Sequence, residues 1–207
     1  MRATALALVL LLGLLAPSYA VPAGAAPEPL AKQNLLILAD YVSVYPDMDD
    51  PFRTTMRSPL FAPRGCDDQD LLVRGSSRIL GGVSLGARRR SVALIDQNLV
   101  RFDSVREARA LVRRYRLFSE RCVGDVRTDD GEGSAVTLKN RAWFPPRVGD
   151  QSAGMLIGWF SGGVDWRRVL AVRVGRTVSV LDVDFLDTRP PRAGVLELGR
   201  LAVERLR

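Results

Sequence analysis

Asp182 and Asp184 stand two positions apart in Thr177–Phe185, a run whose apolar residues fit a strand. Side chains alternate along a strand, so both carboxylates share one face with Val178 and Val180. Paired carboxylates can hold a metal or divide acid–base work between them. No third ligand and no supporting motif lies near them in sequence. The pair therefore reads as polar residues at the exposed end of a strand, with no metal and no catalytic residue expected.

The chain has no histidine. That removes Ser-His-Asp and Cys-His nucleophile systems, zincin motifs and histidine metal sites. A Ser-Lys or carboxylate enzyme stays open by residue type alone. Gly81-Gly82 and Gly162-Gly163 are too sparse for a phosphate loop or a dinucleotide fingerprint, so no cofactor is expected. The reading is of a chain that is not an enzyme.

Two other groups suit binding. Trp143, Phe144, Trp159, Phe160 and Trp166 cluster with Gly154, Gly158, Gly162 and Gly163. Glycine lets a ligand or another backbone approach closely, and aromatic rings line many small-molecule sites. The five aromatics are a candidate ligand groove, with Trp159 or Trp143 expected on its wall. A buried aromatic layer is their commoner use and the competing reading. The second group is basic. Formal charge is +7, and Lys32 and Lys139 are the only lysines, so nearly all 30 basic residues are arginine. Arg88, Arg89 and Arg90 fall in a turn. Arg106, Arg109, Arg113 and Arg116 recur at helical spacing. Guanidinium forks suit phosphate or carboxylate, so these seven are candidate contacts to an anionic partner; a solvated basic turn is the plainer alternative. No motif points to a specific nucleic acid.

The elements that must position these groups follow from pattern. Ser104 with Glu107 three residues on is a capping box, and Ala108, Leu111, Val112, Tyr115 and Phe118 or Ser119 then form one buried face. That predicts a helix from Ser104 to near Cys122, with the arginines on its other side. Ile79–Leu85 and Val92–Phe102 read as strands. Val123–Arg127 and Val136–Trp143 read as a hairpin. Gly154–Phe160, Val169–Val174 and Thr177–Phe185 are three more strands, the last two joined by Gly175-Arg176 as a type II′ turn. Arg192–Arg207 reads as a closing helix burying Val195, Leu198 and Leu201 or Ala202. Leu30–Tyr45 fits a short helix or an extended segment. Four prolines between Pro46 and Cys66 predict a long loop without regular structure. The fold class expected is α+β, a single domain of antiparallel β-sheet with two or three packed helices.

The N-terminus reads as a secretory leader. Arg2 precedes an apolar run from Ala5 to Leu15, and small residues offer cleavage after Ala20 or Ala25. The run is short for a membrane span, so the mature chain is not expected to span the membrane. The organisation expected is a signal peptide over 1–25, an N-terminal segment with a proline-rich loop over 26–65, and an α+β domain over 66–207 on which 30–65 packs. Export would place Cys66 and Cys122, the only cysteines, in an oxidising compartment, where an intrachain disulfide is expected.

Phe102-Asp103-Ser104, Glu107-Ala108 and Cys122 follow a proline-rich loop ending Pro63-Arg64-Gly65-Cys66. Gly149-Asp150-Gln151-Ser152 comes next, then Val172-Arg173-Val174-Gly175-Arg176-Thr177-Val178, and a last helix with Leu198, Ala202 and Leu206. In this order the chain resembles the extracellular sensor domain of PknH-type actinobacterial serine/threonine kinases and the secreted proteins and lipoproteins that share it. Family members often carry a tryptophan shortly before the second cysteine, where this chain has Leu117 and Phe118, and usually more than one disulfide. The resemblance implies an antiparallel sheet with helices, a ligand-binding groove and no catalytic residue. The function expected is an exported, non-catalytic, sensor-like domain for a small-molecule or cell-envelope ligand. The alternative is an accessory protein that binds a polyanion or the cell envelope through its arginines.

Overall fold

The computed structural model describes residues 29–46, 50–52, 60–66, 70–86, 92–129, 133–160 and 164–207. The expected leader and Arg88, Arg89 and Arg90 lie outside these residues.

A 3-10 turn (Lys32–Asn34) and α1 (Leu38–Val44) open the described chain. The strands are β1 (Asp50–Phe52), β2 (Phe61–Pro63), β3 (Asp70–Leu72), β4 (Ser77–Gly86) and β5 (Val92–Arg101). Helix α2 (Val105–Arg121) follows, then β6 (Gly124–Asp129), β7 (Ala135–Arg141), β8 (Gln151–Phe160), β9 (Val164–Val174) and β10 (Thr177–Leu186), and finally α3 (Arg192–Glu204). The architecture is α+β. Eight strands form one sheet in the order β1-β4-β5-β10-β9-β8-β7-β6, and β2 and β3 form a separate pair. Every strand pairing in both sheets is antiparallel.

The topology explains the layers. β5 lies mid-sheet, whereas β6, the next strand in sequence, is at the far edge. Helix α2 must therefore cross one face, and it packs chiefly on β8. From β6 the chain returns strand by strand until β10 reaches β5. Helix α3 then covers the other face over β9 and β10, with α1 against it. The central strands are apolar on both sides. Val169 and Ala171 pack towards α2, and Leu170 and Val172 towards α3. Such strands appear in sequence as near-continuous apolar runs. Gly175 takes φ +56°, and Arg176 is not among the residues with positive φ, in keeping with the expected type II′ turn.

The capping box is present. Glu107 N donates to Ser104 Oγ at 3.2 Å, and Ser104 N donates to the Glu107 carboxylate at 3.0 Å. Val195, Leu198 and Ala202 are buried on α3. Leu30–Tyr45 resolves into the 3-10 turn and α1. Gln97, fully buried on β5, accepts from Leu36 N at 2.7 Å and donates to Ser179 Oγ at 3.2 Å, fastening this segment to the sheet.

The segment from Pro46 to Cys66 departs from expectation. It contains β1 and β2, with Pro51 and Pro63 inside them. Both strands pair on one side only, where a residue lacking an N–H is tolerated. Cys66 and Cys122 form a disulfide across Cα atoms 5.0 Å apart. Cys122 is the C-cap of α2, so the bond holds the β2 segment against that helix, where Leu60 and Ala62 are buried. Among the described residues, no helix is long and apolar enough to cross a membrane.

Candidate functional site

A strand of ten residues is about 33 Å long, and a helix is about 10–12 Å across. One crossing helix therefore cannot cover a whole face of this sheet. Helix α2 lies over the half that includes Val100, Val178, Ala171 and Ala153. At the other end of the same face is a pocket of about 450 Å³, lined by Leu94, Ile157, Trp159, Asp165, Arg167, Asp184, Phe185 and Leu186.

Strand register builds it. One row across the sheet sets Leu94 beside Asp184, Asp184 beside Arg167, and Arg167 beside Ile157. The next row outward sets Leu186 beside Asp165 and Asp165 beside Trp159. The row inward sets Asp96 beside Asp182. Leu94 is 49% exposed and Leu186 41%, unusual for leucines in sheet strands whose centres are fully buried.

The carboxylates meet at Arg167. Its Nε lies 3.1 Å from Asp184 Oδ1 and 3.4 Å from Asp182 Oδ1. Burial pushes the Asp184 carboxyl up to about 7; the Asp182 charge adds to the rise, Arg167 opposes it, and Asp165 adds a smaller push. Asp96 is also raised, by burial first and then by Asp184, against Arg167. Among the described residues, no three His, Cys, Asp or Glu side chains are grouped so as to hold a metal ion.

The expected aromatic set is divided between places. Trp159 is half-buried on the pocket wall. Trp143 is buried, and with the exposed Phe144 it borders a smaller recess of about 210 Å³ beside Arg116 and Gly154. Phe160 and Trp166 meet edge to face at 6.1 Å in the α3-side core, with Lys139 4.2 Å from the Phe160 ring and Arg189 4.3 Å from the Trp166 ring. Leu94, Asp165, Arg167 and Leu186 in the pocket, and Asp96 in the row behind Asp184, are residues that sequence reasoning missed. They come from β5, β9 and β10, and only pairing register brings them to the Asp182–Asp184 pair.

Arg106, Arg109, Arg113 and Arg116 do share a surface. With Gln151 and Glu120 they border a shallow depression of about 710 Å³, and Arg116 pairs with Glu120 at 2.8 Å. A different arginine is buried. Arg168 donates from Nε to Pro190 O at 2.9 Å and lies 4.6 Å from the Trp143 ring, while its Nη1 and the Tyr45 hydroxyl are buried without a hydrogen-bond partner. Burial first, and then Arg192 and Arg189, lower the Arg168 pKa to about 10, against an opposing pull from Tyr45.

These features define an α+β domain with two helices on one face of an antiparallel sheet and a single crossing helix and an acidic, apolar pocket on the other. The chain matches no protein-family model and no curated protein. Among solved structures it is similar to the extracellular domain of PknH from Mycobacterium tuberculosis, with a TM-score of 0.53 and 12% identity over 86% of this chain and 97% of that one. At that identity the likeness is one of fold. The fold resembles that of the PknH extracellular domain, in keeping with the fold that the resemblance in sequence implied.

Proposed function

We propose that this chain is an exported, non-catalytic, sensor-like domain that binds a small ligand in the pocket at the α2-free end of the sheet. The observation that carries the reading is the pocket itself: about 450 Å³, in the range of small-molecule sites, with exposed Leu94 and Leu186 beside Trp159. Export is supported by the leader in the sequence and by the Cys66–Cys122 disulfide. A non-catalytic role is supported by the lack of histidine and by the ion pairs that engage Asp182 and Asp184 with Arg167. The test is native mass spectrometry of the protein from culture fluid. A processed chain carrying a small molecule that Leu94→Asp no longer retains is the expected result. Intact Met1 protein in washed membranes would remove export, and a molecule retained equally by Leu94→Asp would remove this pocket.

A second reading has its own observation. The four arginines bordering one depression on α2 form a basic surface suited to a polyanion or an anionic envelope polymer. Elution from a heparin column at lower salt after Arg109→Glu with Arg113→Glu supports it; unchanged elution counts against it.

A further inference from the structure

We infer that the pocket takes a molecule with an apolar body and a cationic head, an amine or amidine on a hydrocarbon frame. This deepens the ligand-binding reading above and rests on it. Leu94, Ile157, Trp159 and Leu186 supply the surface that selects the body. Charge selects the head. Asp165 and Asp184 line the pocket, and register sets Asp182 and Asp96 in the row behind Asp184. Among the described residues, Arg167 is the one basic residue lining it, and its Nε already faces both Asp182 and Asp184.

Among the described residues, four carboxylates occupy adjacent register positions at this pocket, and two of them pair with the one guanidinium. A carboxylate or phosphate head would meet like charge on both β9 and β10. A cation entering between Asp165 and Asp184 meets opposite charge on both strands and leaves the Arg167 pairs in place. Asp184 is half-buried, which strengthens its share of that attraction relative to open water. The indole of Trp159 on the same wall adds a ring type that favours cations. A neutral apolar ligand would gain the floor and nothing from the carboxylates.

The experiment uses three probes of one length and different heads: n-octylamine, n-octanol and n-octanoate, below their aggregation limits. They are titrated at about pH 8, where Asp184 is ionised and an alkylamine remains protonated. The readout is the indole N–H resonance of Trp159, one of only three tryptophans, assigned with Trp159→Phe. Octylammonium should bind at least about tenfold more tightly than octanol, with octanoate weakest. Asp165→Asn with Asp184→Asn should remove that advantage and leave octanol unchanged. Equal affinity for all three at Trp159 would overturn the cationic assignment while leaving the pocket reading intact. No shift at Trp159 with any probe, or shifts that persist unchanged in Leu94→Asp, would overturn the pocket reading and this inference together. Leu94 is half exposed, so that variant leaves the core in place.

Discussion

Asp182 on β10 stands directly across from Asp96 on β5, and two residues further on Asp184 stands directly across from Arg167 on β9. Like charges opposed on neighbouring strands destabilise a sheet. The protein keeps this pair beside the pocket that Asp184 and Trp159 line, and Arg167 bridges Asp182 and Asp184.

That arrangement sets a pH dependence. The Asp184 carboxyl titrates near 7 when folded, above its ordinary 3.8, and Asp96 is also raised. From about pH 4 to about pH 7 the folded chain keeps protons that the unfolded chain has released, so stability falls as pH rises through that window. The urea midpoint of the unliganded protein should be lower at about pH 7.5 than at about pH 5, with Asp184→Asn flattening the difference. A wild-type midpoint that rises with pH over this range would contradict the carboxylate geometry.

The disulfide closes a loop of 56 residues in sequence. On the chain-entropy account it contributes about 4 kcal/mol, a large share of the roughly 5–15 kcal/mol typical of a domain. Cys66→Ser with Cys122→Ser should lower the denaturation midpoint and release amide protection first in β2 and β3. The sheet and helices α2 and α3 should survive. Identical unfolding curves with and without reductant would show that the bond carries no stability.

Tyr45 buries a hydroxyl without a partner beside Arg168, whose Nη1 is in the same condition. Tyr45→Phe keeps the ring against Phe185, 5.6 Å away, and removes the unsatisfied oxygen. It should stabilise the protein by about 1 kcal/mol. Arg168→Met should also stabilise, since among the described residues the buried guanidinium has no carboxylate partner and its contact with Trp143 offsets only part of the desolvation. Loss of stability in both variants would mean that these groups are better solvated than their burial implies.

Helix α2 was legible down to its cap, because Ser104, Glu107 and the apolar repeat are all local signals. The three long strands β8, β9 and β10 were legible for the same reason, within a few residues at their starts. β1 and β2 were not, since proline removes a strand signal unless edge position is known. Of the expected groove residues only Trp159 lines this pocket. Asp182 and Asp184 read as polar residues at an exposed strand end, and only their spacing announces them. Their partners carry no such signal, because Asp96 lies on a distant strand and Asp165 and Arg167 face the pair only in one register. A one-residue slip of β9 would turn Arg167 to the α3 side and set Trp166 or Arg168 across from Asp184 in its place. Nor does periodicity say how far a crossing helix leaves a sheet uncovered.

The return of β10 to β5 has a kinetic side. The nearest residues joined across that pairing, Arg101 and Thr177, are 76 apart in sequence, whereas β4 and β5 form a hairpin at once. The hairpin's inner edge must stay open until the last strand is made, and an unpaired strand edge in waiting is an invitation to the wrong strand. Refolding should therefore be limited by this final closure, and export at high expression should favour misassembly through β5 more than through any other strand.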